Sequence, residues 1–202
     1  MSDRITPEVI LYFWFGAHTG DAATAQAQRR LWWAKDPAID AEIRSRFAPL
    51  VQAAAFSKHD DWAATPRGRL TLILLFDQFP RNMHRGSPRT FAYDGLARTL
   101  ALDTLAAGAD AALRPIERVF CYLPLEHSES LSHQDQCVAL NQKLADGVAP
   151  ALREIFAGYV NFAERHRDII RRFGRFPHRN AVLGRASTPE EIKFLQQPGS
   201  SF

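Results

Sequence analysis

Apolar residues recur along this chain at helical spacing, in runs that open on a capping side chain followed by proline. Thr6-Pro7, Asp36-Pro37, Thr65-Pro66, Ser87-Pro88 and Thr188-Pro189 all have this form. A proline at the first helical position has no N–H to leave unpaired, and its φ is already helical. Glu8 and Glu190 follow two of these prolines, where a negative charge complements a helix start. The predicted helices run from about Pro7 to Trp14, Pro37 to Ala55, Pro66 to Phe79, Pro88 to Ala107 and Pro115 to Leu123. Further helices are predicted from Ser128 to Gly147, Val148 to Phe173 and Pro189 to Gln196, with a short one around Leu31-Trp32-Trp33. The segment Leu70 to Phe79 is apolar most of the way round, so its helix should be central and buried. A strand over Leu72 to Phe76 is argued against by the Thr65-Pro66 start and by the continuation to Phe79. The expected fold is all-α, one domain over residues 1–202, with short linkers that make consecutive helices antiparallel neighbours.

One pattern occurs twice. Phe76-Asp77-Gln78-Phe79-Pro80-Arg81-Asn82 returns as Phe173-Gly174-Arg175-Phe176-Pro177-His178-Arg179-Asn180. Each copy has two aromatics three apart, a proline and an Arg-Asn pair, and each is followed by another arginine, Arg85 or Arg185. Proline stops a helix, and an Arg-Asn pair just beyond it lies where carbonyls have lost their partners. Both copies therefore read as helix exits carrying a polar hook. Either the hooks only brace their own turns, or the two exits converge on one pocket.

Composition narrows the function little. Hydrophobic residues make up 46% and charged residues 23%, and the net charge is +3, as in an ordinary soluble globule. Between Arg165 and Arg185, seven arginines stand against Asp168 alone, a local basic surface that suits a small anion better than a long polyanion. Phe173 and Phe176 interleave with that run as a nucleic-acid stacking surface does, yet both also fit helical core spacing, so nucleic acid is disfavoured. Cys121 and Cys137 have no CxxC or metal spacing and read as buried, reduced residues. The first residues do not resemble a signal peptide and no apolar run is long enough to span a membrane, so a cytoplasmic location is expected.

Asp77 is out of place in an apolar helix near its C-terminal end and needs a partner there. Arg81, four residues on, is one choice; Arg175 or Arg179 from the second copy is another. Glu126-His127-Ser128-Glu129 follows Pro124, with Ser128 and Glu129 explained as the cap and first turn of a helix. Glu126 and His127 remain, and His127 suits acid/base chemistry if a partner comes from elsewhere in the chain. His166 shares a face with Ile169, Ile170 and Phe173 and reads as a buried structural histidine. A metal site from Glu129 and His133 with His166 or His178 has no supporting motif, and no nucleotide or cofactor signature is present, so none is expected. The closing residues Pro198 to Phe202 end on an aromatic and should dock on the body.

Leu75 through Asn82, Pro124-Leu125-Glu126-His127-Ser128-Glu129, Phe173 through Asn180, Ser187-Thr188-Pro189-Glu190-Glu191 and the Pro-Gly-Ser-Ser-Phe end together resemble the bacterial family called domain of unknown function 924. The resemblance covers nearly the whole chain. It implies an all-helical, tetratricopeptide-like fold and no assigned activity.

The residues themselves point to a basic, histidine-bearing pocket for a small anionic ligand. Arg81, Arg175 and Arg179 would hold a carboxylate or phosphate, and Asn82, Asn180 and Gln78 would orient it. Asp77 and Glu126 would balance charge, and His127 or His178 would move a proton. The alternative is a helical binding module whose concave side takes a peptide or partner protein, with Trp32, Trp33 and Trp62 as exposed candidates.

Overall fold

The structure is a computed structural model and describes residues 5–201. Among these residues the chain is all-α, without strands. The helices are α1 (Pro7–Phe15), α2 (Asp21–Trp33), α3 (Pro37–Ala55), α4 (Pro66–Ile73), α5 (Phe79–Met83), α6 (Asp94–Ala106), α7 (Pro115–Glu126), α8 (Leu131–Gly147), α9 (Arg153–Phe173) and α10 (Pro189–Leu195). All five Cap-Pro pairs begin a helical turn. Asp36 accepts from the N–H groups of Ala38 and Ile39, Thr65 from Gly68, Ser87 from Arg89 and Thr188 from Glu191. Glu191 closes a capping box by accepting from the Thr188 N–H at 2.7 Å. Thr6 makes no such bond.

The central helix departs from expectation at Pro80. Between α4 and α5 lies a π turn, Leu74–Gln78, in which the Phe79 N–H reaches the Leu74 carbonyl. A proline inside a regular helix clashes with the carbonyl four residues back and lacks a donor. Widening the turn just before Pro80 removes that conflict, and the helix runs on to Met83. The first hook is therefore part of a helix and not an exit.

Other boundaries moved for local reasons. The alanine-rich segment before Trp32 is helical from Asp21, consistent with alanine's propensity. The Pro88 segment is a 3-10 turn, Pro88–Phe91, and α6 starts separately at Asp94. Helix α7 continues through Pro124 to Glu126, so Glu126 and His127 lie at a helix end, and α8 begins at Leu131 and not at Ser128. A 3-10 turn, Pro150–Leu152, precedes α9. Gly174, at φ 69°, ends α9 in the left-handed region where glycine costs least.

One cluster of buried side chains runs from Ile10 on α1 to Ala163 on α9, with Trp14, Phe47, Phe79 and Phe120 among its fully buried members. Helix α8 packs along α9, α7 on α8, α3 on α5 and α4 on α6. A satellite of Ile169, Ile170 and Phe176, with Phe173 and Phe194 against it, carries the second hook. Cys121 and Cys137 are free and buried. Trp32 is buried and donates its indole N–H to the Trp14 carbonyl, and Trp62 is partly buried beside His59; Trp33 is exposed, stacked on Phe120. Near the tail, Ser200 is buried and donates to the Leu195 carbonyl, while Phe202 lies outside the described residues. No described helix is long and apolar enough to cross a membrane.

Candidate functional site

The π turn presents Asp77 to polar groups from two other segments, and through Arg81 the network reaches two more. Asp77 is 1% exposed. Its Oδ1 accepts from His127 Nδ1 at 2.7 Å and from Arg81 Nη2 at 3.0 Å, and its Oδ2 accepts from Gln78 Nε2 at 2.5 Å. The Arg81 Nη2 also reaches Asp94 Oδ1 at 3.0 Å, at the first position of α6. On the far side of Asp94 lies Arg179, with Nη1 3.8 Å from Oδ2. Arg179 comes from the second hook, so the Arg81 and Arg179 side chains converge on one carboxylate. Its guanidinium carbon sits 4.7 Å above the Phe91 ring and 4.4 Å above Phe176.

Environment sets the charge states. Burial raises the Asp77 carboxyl, but the His127 and Arg81 charges overcome it and hold the group well below the usual carboxylate range. Burial and the Arg81 charge lower His127 despite its bond to Asp77. With Nδ1 committed to a carboxylate, the neutral ring carries its proton there and leaves Nε2 as the basic nitrogen. Burial and the Arg179 charge push His178 down to about 4, and burial takes His166 down to about 3. Burial and the neighbouring Arg81 lower Arg179 to about 10. Burial, reinforced by Asp77, lifts Glu126 to about 8. Burial and Asp77 also raise Asp94, against the pull of Arg81.

Several expected members face elsewhere. Arg175 makes a two-point pair with Glu191 at 2.7 and 2.8 Å and donates to the Ala186 carbonyl. Asn82 donates to Asp40 at 2.9 Å, on α3, and Asn180 to Ser187 and Glu191. Each asparagine therefore braces its own neighbourhood, and the two hooks meet only through their arginines. Glu126 faces away from His127, toward His166 Nδ1 at 3.4 Å and the Cys137 thiol at 3.9 Å. Asp77 takes Arg81 and His127 as partners, and not Arg175 or Arg179. Both Glu129 oxygens are taken by Arg185, and Glu129 Oε1 also accepts from the Phe176 N–H; His133 bonds Ser128. Among the described residues no group of three metal-ligating side chains comes together. The basic run of α9 is balanced in place: Arg167 and Arg171 meet Asp135 and Asp168, and Arg172 meets Glu190.

Two participants were not foreseen. In sequence Asp94 and Phe91 are only a charged and an apolar residue inside the single helix expected from Pro88 to Ala107. Their role depends on the break between the 3-10 turn and α6, which aims Asp94 back at the hooks. Two surface concavities lie away from this cluster. One, of about 720 Å³, is open and lined by Val9, Tyr12, Phe13, Gly16, Gln28 and Arg46 among others; one of about 530 Å³ lies between α8 and α9.

The profile of the bacterial proteins of unknown function designated DUF924 matches residues 10–199. The solved structure of a protein of unknown function from Agrobacterium tumefaciens is similar at 39% identity and a TM-score of 0.73, covering 88% of this chain and 99% of that one. No curated protein matches.

Proposed function

The chain belongs to the DUF924 family of bacterial proteins, and we propose that it binds a small carboxylate- or phosphate-bearing molecule at Arg179 and moves a proton through His127. The observation that carries this reading is the state of Arg179. Its residue is only 6% exposed, yet its side chain makes no hydrogen bond among the described residues, and its Nε is buried without a partner. A buried guanidinium donor without a partner is costly, and the Nη groups beside it make no hydrogen bond among the described residues either. An anion would satisfy several at once, as arginine does for carboxylate and phosphate. His127 stands on the other side of the Asp77–Arg81 pair, oriented by the Asp77 carboxylate as a general base is. Arg81, Asp94 and His127 keep partial exposure, which gives this face its contact with solvent.

The test is anion-dependent stability. Acetate, nitrate, phosphate and sulfate should be titrated at constant ionic strength while melting is followed by circular dichroism. At a hundredfold excess over Kd, binding adds about 2.7 kcal/mol, or roughly 5–10 °C at this chain length. At least one anion should do this for the wild type and none for Arg179→Gln. Equal shifts in both proteins would remove the site.

A second reading, a tetratricopeptide-like binding module for a peptide or partner protein, draws on the open concavity beside α1. Tyr12 is 66% exposed there and Val9 43%, with Phe13 in the wall. Tyr12→Ala should weaken capture of such a partner and leave anion binding untouched.

A further inference from the structure

The site has a charge order that selects among anions. Asp77, Arg81, Asp94 and Arg179 follow one another at 3.0, 3.0 and 3.8 Å, so the signs alternate and the row ends on a guanidinium. Two carboxylates face two guanidiniums, and the row sums to zero. Glu129, whose charge also reaches Arg179, is matched by Arg185, and with His127, His166 and His178 all lowered and Glu126 raised, the neighbouring groups add no net charge near neutral pH. The next place in the row is one negative charge against Arg179. A second negative charge on the same ligand has no cation left to meet and lies within the field of Asp94 and Asp77.

The walls act in the same direction. The rings of Phe91 and Phe176 lie against the Arg179 guanidinium, and with Nε buried the Nη N–H groups along its outer edge are the donors open to a ligand. An edge of paired N–H groups matches a planar carboxylate lying in the same plane. Aromatic walls also raise the cost of stripping water from a doubly charged ion far above that for a singly charged one. We infer that the ligand of this site is a monocarboxylate, held edge-on by Arg179 between Phe91 and Phe176, and not a phosphate ester. This rests on the anion-binding reading above and names the chemical class within it.

The experiment compares acetate and benzoate with inorganic phosphate by isothermal titration at constant ionic strength, on the wild type, Arg179→Gln and Asp94→Asn. At pH 8, where Glu126 is half ionised and adds to the repulsion of a dianion, the two carboxylates should bind at least tenfold more tightly than phosphate. Asp94→Asn removes one negative charge from the row and should strengthen phosphate more than benzoate. Should Asp94→Asn fail to fold, the wild type alone suffices: at about pH 5.5 phosphate is mostly a monoanion, and its disadvantage should shrink. Phosphate binding as tight as benzoate at pH 8, and dependent on Arg179, overturns the monocarboxylate assignment and leaves the anion site standing. A preference that neither Asp94→Asn nor lower pH changes also overturns it. Binding by none of these anions to the wild type, or binding that Arg179→Gln leaves unchanged, overturns the anion site itself, and this inference with it.

Discussion

Asp77 and His127, fifty positions apart, share a 2.7 Å hydrogen bond that ties the π turn to the end of α7. The same Asp77 oxygen accepts from Arg81, so one buried carboxylate holds two groups in place. Asp77→Asn keeps the shape but removes the charge. Breaking a buried pair by deleting one partner costs about 3–5 kcal/mol. Urea denaturation should show a loss of that order. The His127 pKa, followed by NMR, should drop further because the carboxylate that favours its cation is gone. A variant as stable as the wild type would mean the pair contributes nothing to folding.

The titrating groups of the cluster predict a stability maximum near pH 6.5. His166 and His178 fall to about 3 and about 4 when folded, against about 6.5 unfolded. Their contribution is complete above 6.5 and is lost as pH falls. Glu126 has the opposite sign: folded it titrates at about 8, against about 4.3 unfolded. Its contribution is complete below 4.3 and is lost as pH rises toward 8. From roughly 4.3 to 6.5 the two histidines outweigh the one carboxyl and stability rises; above 6.5 the carboxyl alone remains and stability falls. Glu126→Gln should flatten the limb between pH 6.5 and 8, which has a slope of about 1.4 kcal/mol per pH unit for one proton. Melting temperatures across that range check it, and an unchanged slope would assign the limb to another group.

The fold was legible where a single residue type decides a local conformation. Thr65-Pro66 and Thr188-Pro189 announce their helices because capping and a fixed φ are local properties. Pro80 misled, because whether a proline ends a helix depends on whether the turn before it can widen, and that is settled by the surrounding core. Of the two hooks, the arginines of one cluster were visible in the repeated motif, but their separation from the asparagines was not. Asn82 and Asn180 follow Asp40 and Glu191, partners on elements that the motif does not mention. Arg175 likewise had a carboxylate waiting on α10. Asp94 changes the charge balance of the site, and nothing in its own neighbourhood of sequence marks it.

Two glycines in helices should respond with opposite sign to the same change. A Cβ at Gly68 would lie 1.9 Å from the Trp62 carbonyl oxygen and 2.9 Å from Thr65 Oγ1. The 3-10 turn Asp60–Ala64 would have to move, and with it the cap that Thr65 places on the Gly68 N–H. At Gly158, inside α9, a Cβ meets nothing within 4 Å. Alanine is better than glycine in a helix by about 0.8–1 kcal/mol. Gly158→Ala should gain up to that amount, and Gly68→Ala should lose about 2 kcal/mol or more from strain. Denaturation midpoints with unchanged slopes decide both. A neutral Gly68→Ala would show that the turn yields freely.

Arg179 and His178 provide a reporter of ligand binding that needs no knowledge of the substrate. After burial, the Arg179 charge is the main influence holding His178 down at about 4. An anion resting on Arg179 cancels part of that charge and brings a negative one close to the ring. Both effects favour the imidazolium, so the His178 pKa should rise by about one unit, the scale of one charge at several ångströms in a half-buried site. Linkage then requires that the anion bind more tightly as pH falls through the His178 titration. Arg179→Gln should raise the same pKa without ligand, because the cation is gone, and benzoate should then leave it where it is. NMR titration of the histidine ring protons, with and without benzoate, measures all of these values. A His178 pKa that moves equally with benzoate in the wild type and in Arg179→Gln would place the anion somewhere other than Arg179.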